Sequence, residues 1–116
     1  MAKYKNVKYK GYDSIREYNR AQQLKLLEKK GLVSSLQEQV KYELIPAQYE
    51  HYDVQGVRKV LHKKNLLERG VCYYADFQYI RDGKMVVEDS KGVKTKDYII
   101  KRKLMLQVHG IRIKEV

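Results

Sequence analysis

Residues 71–91 read VCYYADFQYIRDGKMVVEDSK. Two β-prone runs, 71–80 and 84–91, flank Arg81-Asp82-Gly83. Asp-Gly supplies the two positive-φ residues that a tight hairpin turn needs, so the runs are expected to pair antiparallel. With Asp82-Gly83 as a two-residue turn, Arg81 faces Lys84. Counting outward then sets Asp76 opposite Asp89. Directly opposed side chains stand with Cβ atoms ~5 Å apart. Lys91 lies two residues beyond Asp89 and is expected on the same face, across from Tyr74. Glu88 points the other way by alternation and is left out of the group.

Two opposed carboxylates repel each other and need cationic compensation. Lys91 supplies one charge. A divalent cation would supply the rest, because Mg²⁺ takes one or two carboxylates together with water and phosphate oxygens. Such a cation lowers the pKa of a bound water and neutralises phosphoryl charge. A neighbouring lysine can position that water and stabilise developing charge. The residues therefore suggest phosphodiester chemistry. The competing reading is an ion cluster on a solvated sheet face. Met85, Val87 and Ile80 on the same face speak against it.

Upstream, residues 13–30 (DSIREYNRAQQLKLLEKK) read as a helix. Ser14 and Glu17 have capping-box spacing, and Gly31 follows as a stop. Glu17, Ala21, Leu24 and Leu27 fall on one face, which puts a carboxylate in the stripe that should meet the core. Two roles are open for Glu17: partner of Ser14 in the cap, or a further ligand beside Asp76 and Asp89. Residues 36–46 (LQEQVKYELIP) alternate as a half-buried strand ended by Pro46. Residues 47–70 show no clear period and are expected to form a loop with a short helix or irregular strand. Downstream, a helix is expected over about 96–109, capped by Thr95, with Asp97 in its first turn and Gly110 at its end. Residues 111–115 alternate as a last short strand. The order is helix, strand, strand, strand, helix, strand: an α/β fold with a mixed sheet flanked by helices. We divide the chain into a basic arm, 1–12, and a single domain, 13–116.

The chain has 116 residues and a formal net charge of +11. A balance this basic points to a polyanion, nucleic acid above all. The candidate phosphate contacts are Lys3, Lys5, Lys8 and Lys10 of the arm, Arg58, Lys59, Lys63 and Lys64, and Lys96, Lys101, Arg102 and Lys103 of the second helix. No apolar run approaches the ~20 residues of a spanning helix, so no membrane partner is expected. A lone Cys72 and the absence of an apolar signal core fit a cytoplasmic location. His51, His62, His109 and Cys72 lack zinc-ligand spacing. No Gly-rich phosphate loop or Ser/His/Asp arrangement occurs, and no small-molecule cofactor is expected.

The strand aspartate Asp76 in YYADFQY, followed by Asp89-Ser90-Lys91 in VVEDSKG, resembles the motif of the PD-(D/E)xK nuclease superfamily. The likeness extends through YDSIREY (12–18), LQEQVKYELIP (36–46), residues 73–105 and the terminal GIRIKEV. It is nearest to a phage-encoded family of small nucleases first catalogued as a domain of unknown function. Residues 47–70 contribute nothing to it. The motif here is Ala75-Asp76 where the superfamily's name has Pro-Asp; the metal-binding carboxylate is retained.

The resemblance implies a restriction-endonuclease-like core and Mg²⁺-dependent cleavage of a nucleic acid backbone, with Mn²⁺ able to substitute. It implies metal ligation by Asp76, Asp89 and Glu17, and catalytic roles for these three, Lys91 and Gln39, the last orienting the lysine or water. It also implies a setting in a phage-infected or prophage-carrying bacterial cell. With no room for a sequence-reading module, selection by DNA shape is expected, as in homodimeric Holliday-junction resolvases that cut branched DNA during recombination. A structure-dependent nicking DNase and a non-catalytic nucleic-acid-binding module are the alternatives.

Overall fold

The computed structural model describes residues 8–116. Lys3 and Lys5 lie outside this range. Residues 8–12 turn back on themselves, with Tyr9 and Tyr12 exchanging backbone hydrogen bonds of 2.8 Å. Tyr9 and Tyr12 both pack edge-on against Tyr18.

Helix α1 spans Ile15–Lys29. Ser14 caps it, accepting from the Glu17 N–H at 3.0 Å, and Gly31 follows at φ 78°. Glu17, Ala21 and Leu24 are its buried residues, which is the stripe expected from spacing. Five strands follow: β1 (Ser34–Ile45), β2 (Gln48–Gln55), β3 (Val60–Glu68), β4 (Val71–Arg81) and β5 (Lys84–Asp89). Helix α2 (Lys96–His109) starts at the Thr95 cap and stops at Gly110, whose φ of 67° suits a residue without Cβ. A two-residue strand, β6 (Lys114–Glu115), closes the chain.

The main sheet runs β1-β4-β5-β6. Its first two pairings are antiparallel and the last is parallel. It is a mixed sheet with two helices packed on it, in an α/β fold. The β4–β5 hairpin closes with Arg81 opposite Lys84 and positive φ at both Asp82 and Gly83. Two buried clusters hold the body together. One joins Ala21 and Leu24 of α1 to Phe77 and Tyr79. The other joins Tyr98 and Met105 of α2 to Tyr73, Ala75 and Val87. Along β4 the packing partner changes from α2 to α1 between Ala75 and Phe77, at Asp76.

Three expectations need correction. Residues 47–70 hold no helix: β2 and β3 pair antiparallel as a separate two-stranded ribbon. Every residue of both strands is exposed. The ribbon explains the 64 Å long axis and the radius of gyration of 19.6 Å, well above the ~13 Å of a compact chain this size. The strand order consequently has five consecutive strands where three were expected. Finally, β5 ends at Asp89 and β6 begins only at Lys114, so Lys91 and Ile111–Ile113 lie outside the strands.

Candidate active site

The ladder of β4 with β5 ends at Phe77 opposite Glu88. One step beyond, Asp76 and Asp89 come within hydrogen-bonding reach of each other. Asp76 Oδ2 also accepts from the Ser90 backbone N–H at 2.8 Å. Burial, first, then the hydrogen bond and charge of Asp89 push the Asp76 carboxyl up to about 8, from an ordinary 3.8.

Asp89 is 1% exposed. Its Oδ2 accepts from the Tyr73 hydroxyl at 2.5 Å and lies 3.5 Å from Lys91 Nζ. Its Oδ1 is buried with no hydrogen-bond partner. Burial and the adjoining Asp89 carboxyl raise the Tyr73 phenol, which keeps it a donor. Lys91 is steered by an aromatic face as well as by charge: Nζ stands 4.8 Å from the centre of the Tyr98 ring. The backbone of Asp89 is held by β6, where Val116 N–H donates to its carbonyl at 3.0 Å.

Glu17 reaches the same place from α1, where its backbone N–H donates to the Ser14 cap. Oε2 accepts from the Asp13 N–H at 3.3 Å, just before the helix. Oε1 accepts from the Gln39 side-chain amide at 2.8 Å. Burial, then the Asp13 charge, raises its carboxyl above the usual range, and Asp89 adds to this. Gln39 also donates to Asp76 Oδ1 at 3.3 Å. It therefore ties two carboxyls together, and its partners here are Glu17 and Asp76, with neither Lys91 nor a water needed to explain its position.

Glu88 faces away from this group. It is 0% exposed, gripped by Arg20 of α1 at 2.6 and 3.0 Å and by the Tyr79 hydroxyl at 2.5 Å. Lys91 lies past the end of β5 and does not stand across the ladder from Tyr74. Alternation does not extend past the end of β5, and Tyr74 stands 53% exposed while Tyr73 meets Asp89. Tyr73 and Tyr98 are thus members of the site that spacing missed; no local pattern separates them from the chain's other tyrosines.

Glu17 and Asp76 open into a cleft of about 300 Å³ lined also by Arg16, Ser90, Lys91 and Thr95, with Asp89 buried behind them. Among the described residues, no three His, Cys, Asp or Glu side chains are gathered as a ready-made metal cage. The donor chemistry nonetheless suits a hard divalent cation. Asp76 and Asp89 are paired oxygen donors, Asp89 Oδ1 accepts from no N–H or hydroxyl, and Mg²⁺ normally completes its shell with water and phosphate oxygens.

The basic residues divide into groups. Lys8 and Lys10 are exposed beside α1, with Lys10 Nζ 5.3 Å from the Tyr9 and Tyr18 ring centres. Arg58 and Lys59 sit at the ribbon tip, and Lys63 and Lys64 on β3, Lys64 over the Tyr49 ring at 4.2 Å. On α2, Lys96 and Lys103 are exposed and Lys101 is half-buried. Arg102, half-buried, pairs with Glu115 of β6 at 3.2 Å.

These features define a small mixed α/β domain with a carboxylate-lysine cleft at the divergence of its two helices. By sequence, the chain belongs to the family described as "Protein of unknown function (DUF1064)", whose model matches residues 1–114. No curated protein and no solved structure matches it.

Proposed function

We propose that this protein is a metal-dependent endonuclease of the PD-(D/E)xK kind. In this reading α1, β1, β4, β5, α2 and β6 form a restriction-endonuclease-like core, and the ribbon of β2 and β3 is an insertion in it. One observation carries the proposal. Asp76, at the wall of an open cleft, meets the buried Asp89 one step past the β4–β5 ladder, Gln39 ties it to Glu17, and Lys91 Nζ lies 3.5 Å from Asp89. A structural carboxylate pair would be placed to relieve its mutual repulsion. A pair left under repulsion beside a lysine suits a cation that arrives with substrate.

Asp76 and Asp89 would hold the Mg²⁺ or Mn²⁺, with Glu17 reaching it directly or through water. When bound, the metal supplies an acidified water and charge neutralisation at the phosphoryl oxygens. The chain's residues do the rest. Tyr73 fixes the rotamer of Asp89 by donating to Oδ2 and so leaves Oδ1 for the metal. Lys91, held over Tyr98, presents its ammonium to the phosphate and stabilises charge that develops on it. Gln39 keeps Glu17 and Asp76 at a fixed separation through its two hydrogen bonds.

The substrate we infer is DNA, bound chiefly through phosphates because the net charge is +11. Branched DNA, such as a four-way junction of phage recombination or replication, suits a small domain without a base-reading module. A homodimer would present two clefts for paired cuts. A non-catalytic nucleic-acid-binding module is the competing reading, favoured by the lack of a ready-made cage of three ligands. One assay separates them. Purified protein is incubated with a labelled four-way junction or linear duplex, in Mg²⁺ or EDTA. Mg²⁺-dependent cutting of the junction is expected; binding without cutting would overturn the nuclease reading, and equal cutting of both substrates the junction preference.

A further inference from the structure

Arg16 and Arg20 lie one helical turn apart on α1 and have opposite fates. Arg20 is spent inside the protein, on Glu88 and Gln23. Arg16 is exposed and forms no ion pair among the described residues, although Asp13, Glu17 and Asp76 line the same cleft. Its guanidinium leans over the loop after β5: a methyl group added at Gly92 would stand 3.9 Å from Nη1. An exposed guanidinium that pairs with none of the neighbouring carboxylates is available to an anion from outside. Its planar fork matches phosphate in a way that a lysine ammonium does not.

A second observation lies at the same spot. A further cleft, of about 250 Å³, runs along α1 past Arg16, Asn19 and Gln23 and meets Val116. Arg16 and Ser90 line both this cleft and the carboxylate cleft. The Ser90 hydroxyl oxygen behind them is shielded from solvent and has no hydrogen-bond partner, so a χ1 rotation toward the clefts would give it one. A buried hydroxyl without a partner is costly and calls for one. The two clefts thus join at an arginine and a serine that the protein's own hydrogen bonding leaves unused.

We infer that Arg16 and Ser90 form a phosphate seat next to the carboxylate cleft, and that a nucleic acid strand leaves that cleft along the Arg16, Asn19 and Gln23 side of α1. The seat takes the phosphate flanking the one at Asp76 and Asp89. Neither residue belongs to the basic groups picked out by charge runs, because Arg16 stands between Ile15 and Glu17 with no other cation beside it. The inference rests on the nuclease reading for which phosphate is cut, and on the clefts alone for the binding.

The test is binding of a fluorescein-labelled four-way junction in EDTA, by anisotropy across a salt series, with Arg16→Ala, Arg16→Lys and Ser90→Ala. Arg16→Ala should weaken binding about tenfold, the value of one charge-assisted hydrogen-bonded contact. It should flatten the slope of log K against log salt by ~0.7–0.9, one phosphate's share. Arg16→Lys should restore the slope with only part of the affinity, and Ser90→Ala should weaken binding with the slope unchanged. A wild-type slope in Arg16→Ala, with or without weaker binding, would overturn the seat. Because the readout needs no cleavage, a protein that binds through Arg16 but never cuts in Mg²⁺ would overturn the nuclease reading alone.

Discussion

Raising the pH from 5 to 7 in EDTA should destabilise this protein, and Asp76 sets the size of the effect. In the unfolded chain the Asp76 carboxyl loses its proton near 3.8; in the folded cleft it keeps it to about 8. The sign follows from linkage. Below about 4 both states hold the proton and the contribution to stability is complete. Between about 4 and 8 the unfolded chain releases a proton that the native state retains, so stability falls with each pH unit by about 1.4 kcal/mol. Two units give about 2.7 kcal/mol. Water in the open cleft screens part of this, leaving roughly 1–2 kcal/mol. For a chain near 100 residues that lowers the melting midpoint by roughly 4–8 °C. Glu17, also raised, acts with the same sign. The assay is thermal unfolding by circular dichroism at pH 5, 6, 7 and 8, for wild type and Asp76→Asn. The variant removes the Asp76 carboxyl and its coupling to Asp89 and should show the flatter profile. Mn²⁺ should recover stability at pH 8, where the carboxyls can ionise, and do little at pH 5. Identical pH profiles for wild type and Asp76→Asn would refute the reasoning.

Asp89→Asn should abolish Mg²⁺-dependent cleavage while junction binding in EDTA is kept or tightened, since a negative charge near the phosphates is removed; lost binding would point to a structural role. Arg20→Ala strands the fully buried Glu88 carboxylate, and urea unfolding should register a loss of about 3 kcal/mol. Replacing residues 48–68 by a short Gly-containing turn should leave a cooperatively melting body, because neither core cluster draws on the ribbon; a non-cooperative melt would show that the ribbon is part of the folding unit.

What could be read from the sequence was what is decided locally. The Asp82-Gly83 turn fixed the β4–β5 register, and Ser14, Thr95 and Gly110 marked helix ends through hydrogen bonds only a few residues long. Glu17 stood out because a carboxylate in an apolar stripe needs a reason. The ribbon was illegible for a physical cause: neither of its faces is buried, so no period-2 pattern was imposed on it. Val57 at its tip is 103% exposed, and Gly56-Val57-Arg58-Lys59 lacks an Asp-Gly or Asn-Gly signal. The pairing of Arg102 with Glu115 was not legible, because the two are distant in sequence and meet only once β6 docks beside β5. Lys91 was placed by alternation, which lapses where β5 ends. Its true position depends on Tyr98, seven residues away across a loop and a helix cap.

The backbone at Gln39 shows how the cleft is made. Gln39 has φ 53°, a left-handed conformation that costs a residue with a side chain on the order of 1–2 kcal/mol. On either side of it β1 pairs normally with β4, Glu38 with Phe77 and Val40 with Ala75. The irregularity therefore sits opposite Asp76, at the point where β4 passes from the cluster of α2 to that of α1. A regular strand there would continue one packed face and give Asp76 no gap to open into. Instead the two helices' clusters part, and the side chain of the strained residue spans the opening to hold Glu17 and Asp76. A glycine at 39 would take this φ without strain but could make neither bond. That a glutamine stands here is the strongest sign that the irregularity serves the carboxyl group and is no accident of the sheet: the backbone cost is borne where its side chain is used.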